Sequence, residues 1–255
     1  NFIDITNDSL ISIAVDYYKH SHNNLYKGMA YFYLSRIYEN GGRYEEAIAN
    51  SVQAEEALSR TDDYYMQALV LENRGDIYVE QYKFDEAIEL KRQAIICYEK
   101  CNNKRNTAYT HLRISSLLKL QYPADSVMYH LDKARRIGLE LNNEELLYMV
   151  ENYRASYYDY AKEYDKAITT LRNAAKQYPS HKPNADDYYL MCRIYHNTGM
   201  QDSALYYLDN FYTPLAHTQS DIETISFFKS EIYKAKGDYE KAHTHLFEYV
   251  NLGLL

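Results

Sequence analysis

The sequence predicts an all-α solenoid of about six helix-turn-helix repeats, and three observations carry that prediction. First, one pattern recurs: an apolar residue followed by tyrosine, a five-residue gap, an aromatic, and a small residue three positions further on. It is plainest at Ile37-Tyr38…Tyr44…Ala47, Ile77-Tyr78…Phe84…Ala87, Tyr157-Tyr158…Tyr164…Ala167 and Ile232-Tyr233…Tyr239…Ala242, with weaker copies at Leu117-Leu118…Asp125-Ser126-Val127 and Ile194-Tyr195…Asp202-Ser203-Ala204. Second, the spacing is regular, the small residues at 47, 87, 127, 167, 204 and 242 being 40, 40, 40, 37 and 38 positions apart. Third, two helical segments fit within each period, which at this length is the signature of stacked helical hairpins that bury a face only against their neighbours.

In chain order, Asp8–His22 comes first, with helical spacing at Leu10, Ile13, Ala14, Tyr17 and Tyr18 and Asp8 as a candidate N-cap. It reads as the second helix of an incomplete leading repeat, spanning 1–24. Six repeats follow at 25–60, 63–101, 103–141, 143–179, 184–217 and 220–255. Gly41-Gly42 stops the first helix of repeat 1, and Gly199 and Gly237 do the same in repeats 5 and 6. Repeat 2 turns at Gln81-Tyr82-Lys83 and repeat 4 at Lys162-Glu163, while repeat 3 has Pro123 in its turn and Asp125 as a candidate cap of its second helix. Polar breaks separate the repeats at 61–63, 102–103, 142–143, 179–184 and 214–220. The array is expected to be one domain with a flex point near 179–184, where Pro179 and Pro183 fall. The orphan first helix and the apolar ending, Leu252 to Leu255, suggest a piece of a longer protein.

Composition agrees with a globular array. The chain has 255 residues, 46% of them hydrophobic and 25% charged, with a mean hydropathy of −0.60. No apolar run nears the roughly 18 residues of a membrane span, so no membrane contact is expected of this region. Net charge is −8 with scattered basic residues, which disfavours nucleic acid as a partner. There are 31 tyrosines and no tryptophan. Many tyrosines occupy repeat positions, where an amphipathic ring packs between helices with its hydroxyl at the rim. Of three cysteines, Cys97 and Cys101 share a helix face and read as packing residues, with no further ligand at metal spacing.

Each repeat resembles the tetratricopeptide repeat, over roughly residues 25–253. Aligned on the small residue, Ser35, Gly75, Ser115, Ala155, Cys192 and Ser230 take that family's small first-helix position, and Tyr38, Tyr78, Leu118, Tyr158, Tyr195 and Tyr233 its large position three residues on. Ala54, Ala94, Ala134 and Ala174 match the second small position of the second helix. The closing proline matches only at Pro179, and the family's usual Trp is replaced throughout. The resemblance implies a right-handed α-α superhelix that binds protein or an extended peptide along a concave groove, without catalysis and without a cofactor or metal. The long repeat is similar to arrays in bacterial cell-envelope and regulatory proteins. That likeness implies the sensory or scaffolding part of a larger bacterial protein in the cell envelope, the alternatives being a cytoplasmic location and the ligand-sensing half of a transcriptional regulator or sensor kinase. Self-association is a further possible use.

The same resemblance places the groove on the first helices, at Phe32, Tyr33, Arg36, Asn73, Asp76, Tyr109, Arg113, Asn152, Tyr153, Tyr189, Arg193 and Phe227, with Leu69, Lys119, Met149, Asp159, His196 and Phe228 beside them. Rings of this kind hold apolar side chains and amides hold main chain. The clamp by which some relatives grip a C-terminal dicarboxylate is not expected, because the position that needs Asn is Arg36, Asp76, Ser116, Ser156, Arg193 and Glu231. Nothing suggests an enzyme: there is no Gly-rich phosphate loop and no nucleophile elbow, and His243 and His245 point to different sides of a helix.

Overall fold

A computed structural model describes residues 7–252. Among these residues it is all-helical, without strands. The chain divides into two compact bodies, Asn1–Asn142 and Asn143–Leu255. The first holds α1 (Ser9–Tyr18) and three hairpins: α2 (Asn24–Asn40) with α3 (Tyr44–Leu58), α4 (Tyr64–Glu80) with α5 (Phe84–Lys100), and α6 (Lys104–Leu118) with α7 (Ala124–Glu140). The second holds α8 (Glu144–Tyr160) with α9 (Tyr164–Gln177), α10 (Ala185–Asn197) with α11 (Gln201–Tyr207), and α12 (Gln219–Ala235) with α13 (Tyr239–Leu252). α11 runs on into a π-helical turn, Leu208–Tyr212, and a 3₁₀ turn, Thr213–Leu215. The expected flex point at 179–184 lies inside the second body. There Ser180 bonds to Glu144, and His181 bonds to Asp187 at 3.0 Å and stacks on Tyr148.

Small residues let the helices of each hairpin close. Ser35, Gly75, Ser115, Ala155, Cys192 and Ser230 are all buried, and the facing Ala47, Ala87, Val127, Ala167 and Ala204 are at most 1% exposed. In the first hairpin Ser35 Oγ donates to the Ala47 carbonyl at 2.7 Å, which satisfies the hydroxyl at the crossing. In the second, a Cβ on Gly75 would stand 3.4 Å from the Ala87 carbonyl oxygen, in ordinary contact. The second-helix alanines Ala54, Ala94, Ala134 and Ala174 are buried, Ala94 clustering with Ala68 and Leu71 of α4 and Ala174 with Leu147 and Tyr148 of α8.

Helix ends alternate in all hairpins but the last, where Asp238 accepts from the Lys241 N–H at 3.2 Å at the start of α13. First helices are capped by a side chain that accepts from the first turn: Asn23, Asp63, Asn103 and Asn143, then Asn184 and Thr218 in full capping boxes. Second helices α3, α5, α7, α9 and α11 lack such a bond and open instead with acids in the first turn, which favour the helix dipole. One expected cap is therefore corrected: Asp125 lies inside the first turn of α7, whose N-cap is Pro123. Asp8 does stand at the N-cap of α1, though its side chain makes no cap bond and faces Arg43 at 3.6 Å. The first helix is also shorter than its periodicity suggested, ending at Tyr18.

The turn inside a hairpin is a Schellman closure with one left-handed residue: Gly42, Tyr82, Lys162, Gly199 and Gly237, at φ from 59° to 78°. In each, an N–H donates back to the carbonyl of the repeat tyrosine: Arg43 to Tyr38, Lys83 to Tyr78, Glu163 to Tyr158, Met200 to Tyr195 and Asp238 to Tyr233, at 2.8–3.0 Å. Cations then cover four of those rings, Arg43 lying 4.0 Å from the Tyr38 centroid and Lys83, Lys166 and Lys241 5.2–5.6 Å from theirs. Repeat 3 departs for a definite reason. The residue that should donate is Pro123, which has no N–H, so Tyr122 N–H closes on Leu118 at 2.9 Å.

Two tests of this packing follow. Ala87→Arg forces a charge into the α4–α5 crossing and should cost about 3–5 kcal/mol, read as a lowered thermal midpoint; an unchanged midpoint rejects the repeat register. Gly28→Ala and Gly75→Ala should differ in sign. A Cβ at Gly28 meets Leu58 Cγ at 2.4 Å, so the first should destabilise by about 1–2 kcal/mol, whereas the second should stabilise by about 0.5–1 kcal/mol through helix propensity, both by urea midpoint.

Candidate functional site

Periodicity sets which first-helix side chains meet. On α2, Arg36 lies four residues from Phe32 and three from Tyr33, and on α4 Leu69, Asn73 and Asp76 are three, four or seven apart, so each set lies on one side of its helix. Arg113 reaches the same place from α6. These residues, with Ile11, Ile37, Asn40 and Glu72, line a cleft of about 680 Å³ in the first body. Phe32 is buried in its wall, and Tyr33, Arg36 and Arg113 stand at its rim with side chains nearly half exposed. Tyr109 lies one turn before Arg113 on α6, its hydroxyl accepting from Arg105 at 3.3 Å.

The floor is a charge network that the sequence reading missed in part. Glu39 accepts from Asn73 Nδ2 at 2.5 Å and faces Arg36 at 3.4 Å, and burial pushes its carboxyl above the usual range. Glu72 accepts from Thr110 Oγ1 at 2.6 Å and Tyr98 Oη at 3.1 Å. Asp76 is bound by Lys91 Nζ at 2.5 Å and by Arg113 at 3.3 Å. Three carboxylates thus face three cations, with Lys91 fully buried behind them. Asn73, read from the sequence as a groove amide, is 3% exposed. Its Nδ2 is bonded to Glu39 and its Oδ1 lies 3.3 Å from Ser35 Oγ, so its role is to tie α4 to α2.

In the second body the same ties recur between neighbouring first helices. Asn152 donates to Asp187 at 2.7 Å, and Arg193 and Asn197 bind Asp159 at 2.7 and 3.0 Å. Tyr189 lies against Tyr212 and Phe228, with the Arg193 guanidinium 5.9 Å from its ring centre. Phe227 is exposed and packs on Tyr249, and Tyr153 is half-buried on α8. Six of the twelve expected residues therefore converge on one cleft, Tyr109 stands near it, and five occupy the other body.

The first body has a second cavity of about 660 Å³ between α5, α6 and α7, lined by Ile95, Ile96, Leu118, Tyr122 and Tyr129 and by the pair His111 and His130. The two Nδ1 atoms are 2.8 Å apart and both residues are 7% exposed. Burial, with Lys133 beside both rings and Arg92 beside His130, pushes each imidazole down to about 4. The pair was not legible in the sequence, because its members lie 19 positions apart on different helices. Among the described residues no group of three or more His, Cys, Asp or Glu could hold a metal, and no helix is long and apolar enough to cross a membrane.

Stacked two-helix hairpins, each touching only its neighbours within a body, define a helical-repeat protein. One such hairpin, residues 153–181 from α8 through α9, matches the family model of the tetratricopeptide repeat. The chain has the tetratricopeptide-repeat fold throughout. It is similar to a tetratricopeptide repeat protein from Parabacteroides merdae, at 14% identity over 95% of this chain and 84% of that one, with a TM-score of 0.72. It is similar to a signal transduction ATPase with numerous domains from Pyrococcus horikoshii that carries a tetratricopeptide repeat sensor (14% identity, 95% and 40% covered, TM-score 0.69). A third likeness is to a Rap protein in complex with competence and sporulation factor (16% identity, 95% and 79% covered, TM-score 0.61). Likeness at such identities establishes the fold. No curated protein sequence matches the chain.

The histidine pair makes stability depend on pH in a stated direction. Both imidazoles bind a proton less readily folded than unfolded, so their stabilising contribution is complete above about pH 6.5 and is lost as pH falls toward 4. The loss should be on the order of 3 kcal/mol, seen in urea midpoints measured across that range, and a His111→Leu/His130→Leu variant should show a flatter profile.

Proposed function

We propose that the chain is a non-catalytic array that holds a protein segment or extended peptide on the face of its first helices. One observation carries this: ten side chains from three successive first helices line a single cleft of about 680 Å³. The cleft offers an apolar wall (Phe32, Leu69) and an aromatic rim (Tyr33), with guanidinium donors on two sides (Arg36, Arg113). This mixture suits a chain with apolar side chains and a polar backbone. The floor acids already have protein donors, so recognition falls to the rim.

The reading extends to a sensory or interaction role within a larger bacterial protein. It is supported by the likeness to the Rap protein in its complex with competence and sporulation factor, and to the ATPase whose repeats are called a sensor. That ATPase also favours the second reading, the ligand-sensing half of a regulator or kinase, since its repeats form part of a longer signalling chain.

Selection of a random-peptide library on the whole chain, followed by affinity measurement of the consensus peptide, tests the groove. Arg36→Ala/Arg113→Ala should weaken that peptide at least about tenfold while leaving the helical circular dichroism unchanged. Unchanged affinity places the binding surface elsewhere.

A further inference from the structure

The second body has a cavity of about 350 Å³ that belongs to neither the cleft nor the histidine pair. It sits where α9, α10 and the loop 178–184 meet. Three tyrosine rings wall it, Tyr148 from α8, Tyr188 from α10 and Tyr207 from α11, with Met191 between helices. Each ring stacks on an aromatic outside the lining: Tyr148 on His181 (3.7 Å, 18°), Tyr188 on Phe211 (4.9 Å, 22°) and Tyr207 on Tyr195 (5.3 Å, 18°). Rings backed in this way do not swing in to fill the space, so the cavity is preorganised. Burial holds the Tyr148 and Tyr207 phenols above their ordinary range, which keeps these walls neutral.

Charge at this cavity is unbalanced. Arg172 and Lys176, one helical turn apart on α9, both line it. Among the described residues neither forms an ion pair, and the polar contact of Arg172 is the Tyr195 hydroxyl at 3.4 Å. This is unlike Arg74, Lys91 and Arg193, each of which has a carboxylate within 2.7 Å. The one acid in the lining, Asp187, is 6% exposed and already occupied. Its oxygens bond to Asn152 at 2.7 Å, His181 at 3.0 Å and the Asn184 N–H at 2.8 Å.

We infer that this cavity binds a small planar aromatic anion, its ring among the three tyrosines and its carboxylate, phosphate or sulfate on Arg172 and Lys176. The volume is at the lower end of the range for small-molecule sites and suits one fused ring system with a short acidic arm. Aromatic stacking supplies a sequence-independent apolar contact, and the two cations select for negative charge.

The absence of tryptophan makes the test direct, because indole emission then reports on the ligand alone. Indole-3-acetate and indoxyl sulfate are each titrated with the whole chain, following indole fluorescence anisotropy. At least one should bind saturably; the neutral indole-3-acetamide should bind at least about tenfold more weakly, as should the anion to Arg172→Ala/Lys176→Ala. Arg172→Lys/Lys176→Arg keeps the charge and should stay within about threefold of the parent. Both side chains are exposed, and circular dichroism checks that each variant is folded. The inference is overturned if neither anion binds at about millimolar concentration, if the amide binds as well as the acid, or if the alanine variant binds as tightly as the parent. The peptide-library test of the first-body cleft is unaffected by any of these results.

Discussion

Everything in this molecule depends on how closely two helices of a hairpin approach. At the crossing, Ser35 meets Ala47 and Gly75 meets Ala87, with side chains so small that backbone and Cβ atoms touch directly. Close approach gives each short hairpin a dense interface from little apolar area, which suits an architecture with no central core. It also fixes rotation, since one face of each helix must carry the small residue. The residues three, four and seven positions away are thereby aimed at the neighbouring hairpin or at solvent. The cleft residues are consequences of that rotation.

The second constraint is polar. First helices are tied to one another by bonds between residues 34–38 positions apart: Asn73 to Glu39, Thr110 to Glu72, Arg113 to Asp76, Arg193 to Asp159 and Asn152 to Asp187. Such buried or half-buried pairs add register more than stability, because a slipped hairpin would leave carboxylates unpaired away from water. The floor acids of the cleft belong to this ladder, so the same groups that align the repeats also shape the surface between them.

Much of this was legible in the sequence. The period, the small positions, the turns at Gly42, Lys162, Gly199 and Gly237 and the polar breaks between repeats all follow from local rules, because each depends on residues close in sequence. Which first-helix residues share a face follows once the register is set. What was hidden depends on pairs of helices distant in sequence. Glu39 and Glu72 look like surface acids until Asn73 and Thr110 are seen to cover them, and Asn73 looks like a ligand amide until its partners are known. His111 and His130 carry no shared motif. Asp125 was misplaced as a cap because Pro123, two residues before it, takes the N-cap in extended backbone and the helix already begins at Ala124.

The proline turn of the third hairpin has a further consequence. Elsewhere in the first body the hairpin turns are closed by a backbone hydrogen bond onto the repeat tyrosine; at Pro123 that bond is missing, and the histidine cavity is lined by Leu118, Tyr122, Asp125 and Ser126 from this same turn. The link between α6 and α7, 119–123, is also longer than 41–43 or 81–83, and local opening begins in such less supported segments. Amide hydrogen exchange in this body should therefore be fastest among its hairpin turns between Leu118 and Ser126. The imidazoles would then meet bulk protons through fluctuations of this turn, without the three hairpins coming apart.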